Sequence, residues 1–228
     1  MRKAFTLAEV LITLGIIGVV AALTMPALIA NYKEQQTIAK LKKVYSTFDN
    51  ALHMAINEQG STADQWGLVA SQPQPLADIL KPNLLISKDC GTQPKGCFAP
   101  AYYTLIGGSN GFNDSNTLWS KFVLNDGTSA AVWTSASSPI IGWIAVDLNG
   151  KEGPNKSGVD LFWFEIFKDR VIPSGADESF VDFETGCKVH GANFNEQGRG
   201  CTAWVILNGN MDYLHCNDLS WGGKTKCN

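Results

Sequence analysis

Apolar residues fill the start of the chain almost without interruption, and no charged residue occurs from Val10 through Tyr32. At the rise of an α-helix that stretch is about 34 Å long, enough to cross the hydrocarbon core of a bilayer. The pattern then changes. Ile38, Leu41, Val44, Phe48, Leu52 and Ala55 recur at three- and four-residue steps, while Lys40, Lys42, Lys43 and Asp49 fall off that stripe. Such spacing predicts an amphipathic helix with one face laid on a globular body. Gly60, just after Glu58-Gln59, is suited to end it in a left-handed cap. One helix is therefore expected from about Thr6 to about Gln59, apolar all round in its first half and one-sided in its second.

Downstream the periodicity shortens. Residues 61–100 read as a connecting region, punctuated by Gln72-Pro73-Gln74-Pro75 and Lys81-Pro82-Asn83, with a short helix over Leu76–Leu80. Strands are expected over Thr117–Leu124, Ser129–Thr134, Ile140–Asp147 and Leu161–Phe167, with Asn125-Asp126-Gly127 as a hairpin turn between the first two. Short connections between consecutive strands imply an antiparallel sheet, and a long helix packed on it makes an α+β fold. Ala203–Leu207 is the only sustained apolar run of the C-terminal third. Periodicity leaves it open as a strand or a short helix.

Composition adds limits. The 228 residues suffice for one good-sized domain with an appendage. A net charge of -3 and a charged fraction of 17% give no electrostatic case for binding nucleic acid. Six cysteines, all outside the apolar start, suit an oxidising compartment. Short loops cost least to close, which favours Cys90–Cys97, Cys187–Cys201 and Cys216–Cys227. The rival is a metal site using His190 and His215, against which stands the lack of any Cys-x-x-Cys spacing.

The first residues carry the most specific chemistry. Met1-Arg2-Lys3-Ala4 is a short basic leader, followed by Phe5-Thr6-Leu7-Ala8-Glu9 and the apolar run. A secretory signal has a shorter apolar region that ends at a cleavage site, whereas this run continues into more helix. Glu9 stands alone in it. A carboxylate in a membrane helix is costly unless it lies near the interface or is paired. Either it sits at headgroup depth, or it meets a positive group on a neighbouring chain.

Ala4 through Glu9 resembles the processing site of type IV pilin-like proteins, a family that includes the type II secretion pseudopilins; Ala4 stands where similar proteins usually have Gly. The resemblance covers about the first thirty residues. It implies cleavage between Ala4 and Phe5 by a prepilin peptidase and methylation of the new Phe5 amine. It also implies that Glu9 neutralises a neighbour's terminus and that Pro26 weakens the helix during assembly; a simple kink is the alternative for Pro26. The implied organisation is a leader at 1–4, a transmembrane half-helix at 5–30, an amphipathic half-helix at 31–60, and an extracytoplasmic pilin-like domain at 61–228. The implied protein is a minor pilin or pseudopilin, single-pass in the cytoplasmic membrane before assembly into a filament. Its partners would be other subunits, the peptidase, the assembly platform and the bilayer.

Three further readings follow from the body. Asp147, Asn149, Asn155 and Asp160 lie in a Gly/Asn-rich segment whose oxygens suit calcium, as in some pseudopilins; the alternative is an ordinary turn. Trp119, Trp133, Trp143, Trp163, Trp204 and Trp221 suit either a core or the contact surface of an adhesin. A tethered enzyme is the weaker class. His53 reads as a solvated residue, the acidic stretch Asp177, Glu178, Asp182 and Glu184 as an exposed loop, and no nucleophile elbow, phosphate loop or zinc-protease motif occurs.

Overall fold

The computed structural model describes residues 6–187 and 197–227, apart from the side chains of Ala136 and Ser137. The long helix α1 takes in Leu7–Gln59 and ends as expected, with Gly60 at φ 66° and its N–H donating to Ile56 O at 2.9 Å. The chain falls into two compact units, one up to Thr37 and one from Ile38 onward. In the first unit the apolar side chains of α1 have no covering: Leu7, Leu23 and Leu28 are each at least 70% exposed.

The second unit is built on a six-stranded antiparallel sheet whose strands lie side by side in sequence order. They are β1 (Ile86–Gly91), β2 (Ser120–Leu124), β3 (Ser129–Ser137), β4 (Ile140–Asp147), β5 (Leu161–Ile166) and β6 (Val171–Pro173). Four of these match the sequence expectation within three residues. The other two do not. The region 61–100 holds the expected short helix, as α2 (Pro73–Leu80), and in addition the edge strand β1; β6, at the opposite edge, is only three residues long. Short edge strands with irregular pairing give little periodic signal, and β1 is shifted in register twice against β2.

Both faces of the sheet are covered. Toward α1 point Phe122, Val132, Ile144, Val146, Phe162 and Phe164, in one cluster with Leu41, Val44, Phe48 and Leu52. Phe48 meets Phe122 with ring centroids 6.4 Å apart, and Tyr45 stacks on Phe164 at 5.9 Å. Each such buried side chain contributes roughly 1.5–3 kcal/mol. The charged residues off the stripe bind the sheet's rim. Lys43 pairs with Asp126 of the β2–β3 turn at 2.9 Å, Lys40 donates to Leu148 O, and Asp49 accepts from the amide of Val171 at 3.1 Å. On the opposite face Ala131, Ala145, Leu161 and Trp163 pack with Phe98, Tyr102, Phe112, Trp119 and the Cys90–Cys97 disulfide. Burial from both sides explains why β4 and β5 read as near-continuous apolar runs.

The C-terminal segment is held by close backbone approach as well as by disulfides. Cys187 bonds Cys201, and Cys216 bonds Cys227, so all six cysteines pair in the favoured local pattern and none is free for a metal. His190 lies outside the described residues. Ala203–Leu207 resolves as part of helix α4 (Thr202–Asn208), whose Trp204 is fully buried against Phe183. Gly175, at φ 102°, lies so near Gly200 that a Cβ would stand 1.9 Å from its carbonyl oxygen.

Two substitutions test this packing by chemical denaturation of the full chain in detergent, followed by tryptophan fluorescence. Phe48→Ala is expected to cost about 3–5 kcal/mol. Gly142→Ala, whose new Cβ would meet Trp133 O at 2.5 Å and Leu76 Cδ2 at 2.8 Å, is expected to cost about 1–3 kcal/mol.

Candidate functional site

Thr6 and Glu9 form a capping box at the start of α1. Glu9 Oε2 accepts from both the amide and the hydroxyl of Thr6 at 2.8 Å, and Glu9 N donates back to Thr6 Oγ1 at 3.3 Å. Both strong bonds go to one oxygen. The other oxygen accepts nothing among the described residues, so the carboxylate satisfies its own helix and keeps a free acceptor. Beyond it the apolar surface is polar only where hydroxyls fold back on the backbone, Thr13 to Val10 O at 2.9 Å and Thr24 to Val20 O at 3.0 Å. Pro26 lies inside the helix, where it has no N–H to offer the carbonyl of Ala22. The helix is long and apolar enough to cross a membrane. Ala4 and Phe5, the expected processing residues, lie outside the described residues.

The four residues considered for calcium are brought together between β4 and β5. Asp147 accepts from the Tyr102 hydroxyl at 2.5 Å and from Asn149 N at 3.1 Å. Asp160 accepts from Asn155 N at 2.7 Å and Lys156 N at 2.6 Å, and Asn149 Nδ2 donates to Gly153 O at 3.1 Å. Every carboxylate oxygen therefore already faces a donor. Asn155 Oδ1 is buried with no hydrogen-bond partner. Calcium takes six to eight oxygens. As placed, these residues form a hydrogen-bonded turn, and no group of three or more His, Cys, Asp or Glu fit for a metal occurs among the described residues.

That turn stores a titration. Burial pushes the Asp147 carboxyl up to about 8, against the opposing pull of the Tyr102 hydrogen bond and with the charge of Asp160 adding to the rise. Asp160 is raised as well, chiefly by burial.

The acidic stretch is structural. Asp182 caps the short helix α3 (Phe183–Gly186) by accepting from Thr185 N at 2.7 Å, and Glu178 pairs with Arg170. His53 is exposed and lies 3.6 Å from Asp49. The tryptophans divide: Trp163 and Trp204 are core, whereas Trp133, Trp143 and Trp221 are partly exposed. Trp119, Trp133, Trp143 and Trp163 line one cleft of about 540 Å³ together with Phe180 and Arg199. Sequence reasoning missed the last two, because nothing local marks a single Phe or Arg whose neighbours come from distant strands. Compared with known protein families, curated proteins and solved structures, the chain matches none.

Between about pH 4 and pH 8 the folded chain keeps a proton on Asp147 that the unfolded chain has released, so stability falls as pH rises through that window. Urea denaturation at pH 5 and pH 8 should show a loss of about 1–3 kcal/mol. Asp147→Asn should remove most of that slope, because the Tyr102 hydroxyl can turn to serve either amide atom. Calcium or a chelator should leave the unfolding midpoint of the wild type unchanged; a calcium-dependent rise would show a shell that forms only around the ion.

Proposed function

We propose that this chain is a structural subunit, a minor pilin or pseudopilin, of a type IV pilus or type II secretion filament, processed by a prepilin peptidase. The observation that carries this reading is the uncovered apolar surface of α1 from Leu7 to Tyr32 with Glu9 as its single charge. Water leaves such a surface only when lipid or other helices cover it. Before assembly the bilayer does so, with the chain single-pass in the cytoplasmic membrane and the body outside, where its three disulfides can form. On assembly the same surface packs against the helices of other copies.

Glu9 supplies what apolar packing lacks, a fixed axial position. Helices with similar apolar sides slide at little cost, whereas a buried charge must find its partner. Cleavage after Ala4 by the peptidase creates a cation at Phe5, and the spare oxygen of a neighbour's Glu9 is a suitable acceptor for it. Pro26, by removing one backbone bond, gives α1 a place to yield while the assembly platform draws the subunit from lipid. A membrane-anchored adhesin is the second reading, favoured by the aromatic cleft of the body. No catalytic role is proposed.

The test is the intact mass of the protein from cells with and without an active prepilin peptidase. Loss of Met1–Ala4 with gain of one methyl group, only when the enzyme is present, is the expected result; an uncut N-terminus in both cells would overturn the proposal. Glu9→Gln separates the two roles of that carboxylate, since glutamine serves a capping box but carries no charge. Membrane insertion should be unchanged, and the fraction recovered in sheared filaments should fall at least about tenfold.

A further inference from the structure

The three disulfides share short spacing, but their surroundings differ. Cys90 and Cys97 are at most 1% exposed and belong to the aromatic cluster with Phe98, Tyr102 and Trp119. Cys187 and Cys201 are fully buried, in the core cluster that holds Phe183 and Trp204. Cys216 and Cys227 are both partly exposed, and Cys216 packs on the core only from its margin. Exchange needs a thiolate to reach one sulfur, so access decides which bridge reacts. The first two bridges are reached only when the core around them opens, at a cost near that of unfolding. The third needs no such opening.

What the third bridge holds is a strap. The chain from Asn217 to Lys226 loops between its two sulfurs and contains no helix or strand. Within the loop Lys224 pairs with Asp218 at 2.9 Å, and Ser220 N donates to Lys224 O at 3.0 Å. Near its end, Asn210 Nδ2 donates to Thr225 O at 3.1 Å, and Cys227 N donates to Asp212 Oδ2 at 2.6 Å. The middle is held by packing. Leu219 is buried, and Trp221 lies on Trp204 and Phe183, with ring centroids 5.0 and 5.7 Å away. Trp221 also walls a cavity of about 450 Å³ with Tyr45, Ile206 and Leu207. Cutting the bridge gives this loop back the freedom of an open chain, against which stand Leu219 and the Trp221 ring. The reduced state has a partner in place, since Cys227 Sγ lies 3.2 Å from Asp212 O, an acceptor for the thiol formed there.

We propose that Cys216–Cys227 is a thiol-exchange site, opened in the folded protein by a dithiol reductant, and that its opening frees the 217–227 strap from Trp204 and Phe183. One thiolate of the reductant attacks a sulfur of the bridge and forms a mixed disulfide. The S–S bond breaks, and the other cysteine leaves as a thiolate and takes up a proton. The second thiol of the reductant, as thiolate, then closes the reductant's own disulfide, and the remaining cysteine takes up the second proton. The protein gains two electrons and two protons, which the dithiol gives up. The bridge lies in the body, and its chemistry does not depend on how the chain is anchored or assembled.

The test exposes the full-length chain in detergent micelles to dithiothreitol at neutral pH, quenches with iodoacetamide at intervals and maps the labelled peptides by mass. Cys216 and Cys227 are expected to label at least about tenfold faster than the other four cysteines. Once those two are labelled, trypsin should cut after Lys224 and Lys226 at least about tenfold faster than in the oxidised chain, and tryptophan emission should shift to the red. Trp221→Phe should remove that shift and leave the order of labelling unchanged. Equal labelling of all six cysteines, or earlier labelling of either buried pair, would overturn the exchange site. Selective labelling with unchanged cleavage after Lys224 and Lys226 would overturn the release of the strap.

Discussion

The sheet of this protein is apolar on both sides, and each side needs a cover that water cannot penetrate. On one side the cover is the row Leu41, Val44, Phe48 and Leu52 from the second half of α1, joined by Leu76 and Leu80 of α2 and Trp204 and Val205 of α4. On the other it is an aromatic group without regular structure, in which Phe112 touches Phe98, Tyr102, Trp119 and Trp163. Much else follows from these two covers. The loops between β1 and β2 are long because they must reach over the second face. Lys121 shows how they are held: its buried ammonium donates to Asp114 O at 2.6 Å, Asn116 O at 2.8 Å and Thr92 O at 3.3 Å. A lysine there replaces, for three carbonyls, the hydrogen bonds that a regular ladder would have supplied.

The same residue types do opposite things in the two compact units. Most leucines, isoleucines and valines from Ile38 onward lie in the core, with Val69, Leu85, Ile106, Leu118 and Leu207 as exposed exceptions, while those from Leu7 to Ile29 remain bare. A chain left with such a surface in water would aggregate, and lipid or further helices are the remedies. The carboxylate of Glu9 makes sense in that setting, being half used by Thr6 and half open.

Helix α1 was legible because its two patterns, an unbroken apolar run and a three-four stripe, are each long. The central strands were legible through their apolar runs and the Asn125-Asp126-Gly127 turn, and the disulfides through the short spacing of their cysteines. The edges were not. β1 carries Ser87, Lys88 and Asp89, mostly exposed, in irregular register, and β6 is too short to show a period. The cleft was half legible: six tryptophans invited attention, yet only the pairing of β3 with β4 places Trp133 opposite Trp143. Phe180 and Arg199 became meaningful only through Glu165 and Trp163, residues fifteen and thirty-six positions away.

The order of the strands bears on how the body is made. Each strand pairs with the one synthesised just before it, and each disulfide joins cysteines no more than 14 residues apart. Local connections of this kind fold fast. A chain crossing a membrane from its N-terminal side could thus zip up one hairpin at a time as it emerges. No strand would wait for a partner other than its neighbour in sequence, and no cysteine would be exposed for long beside the wrong one.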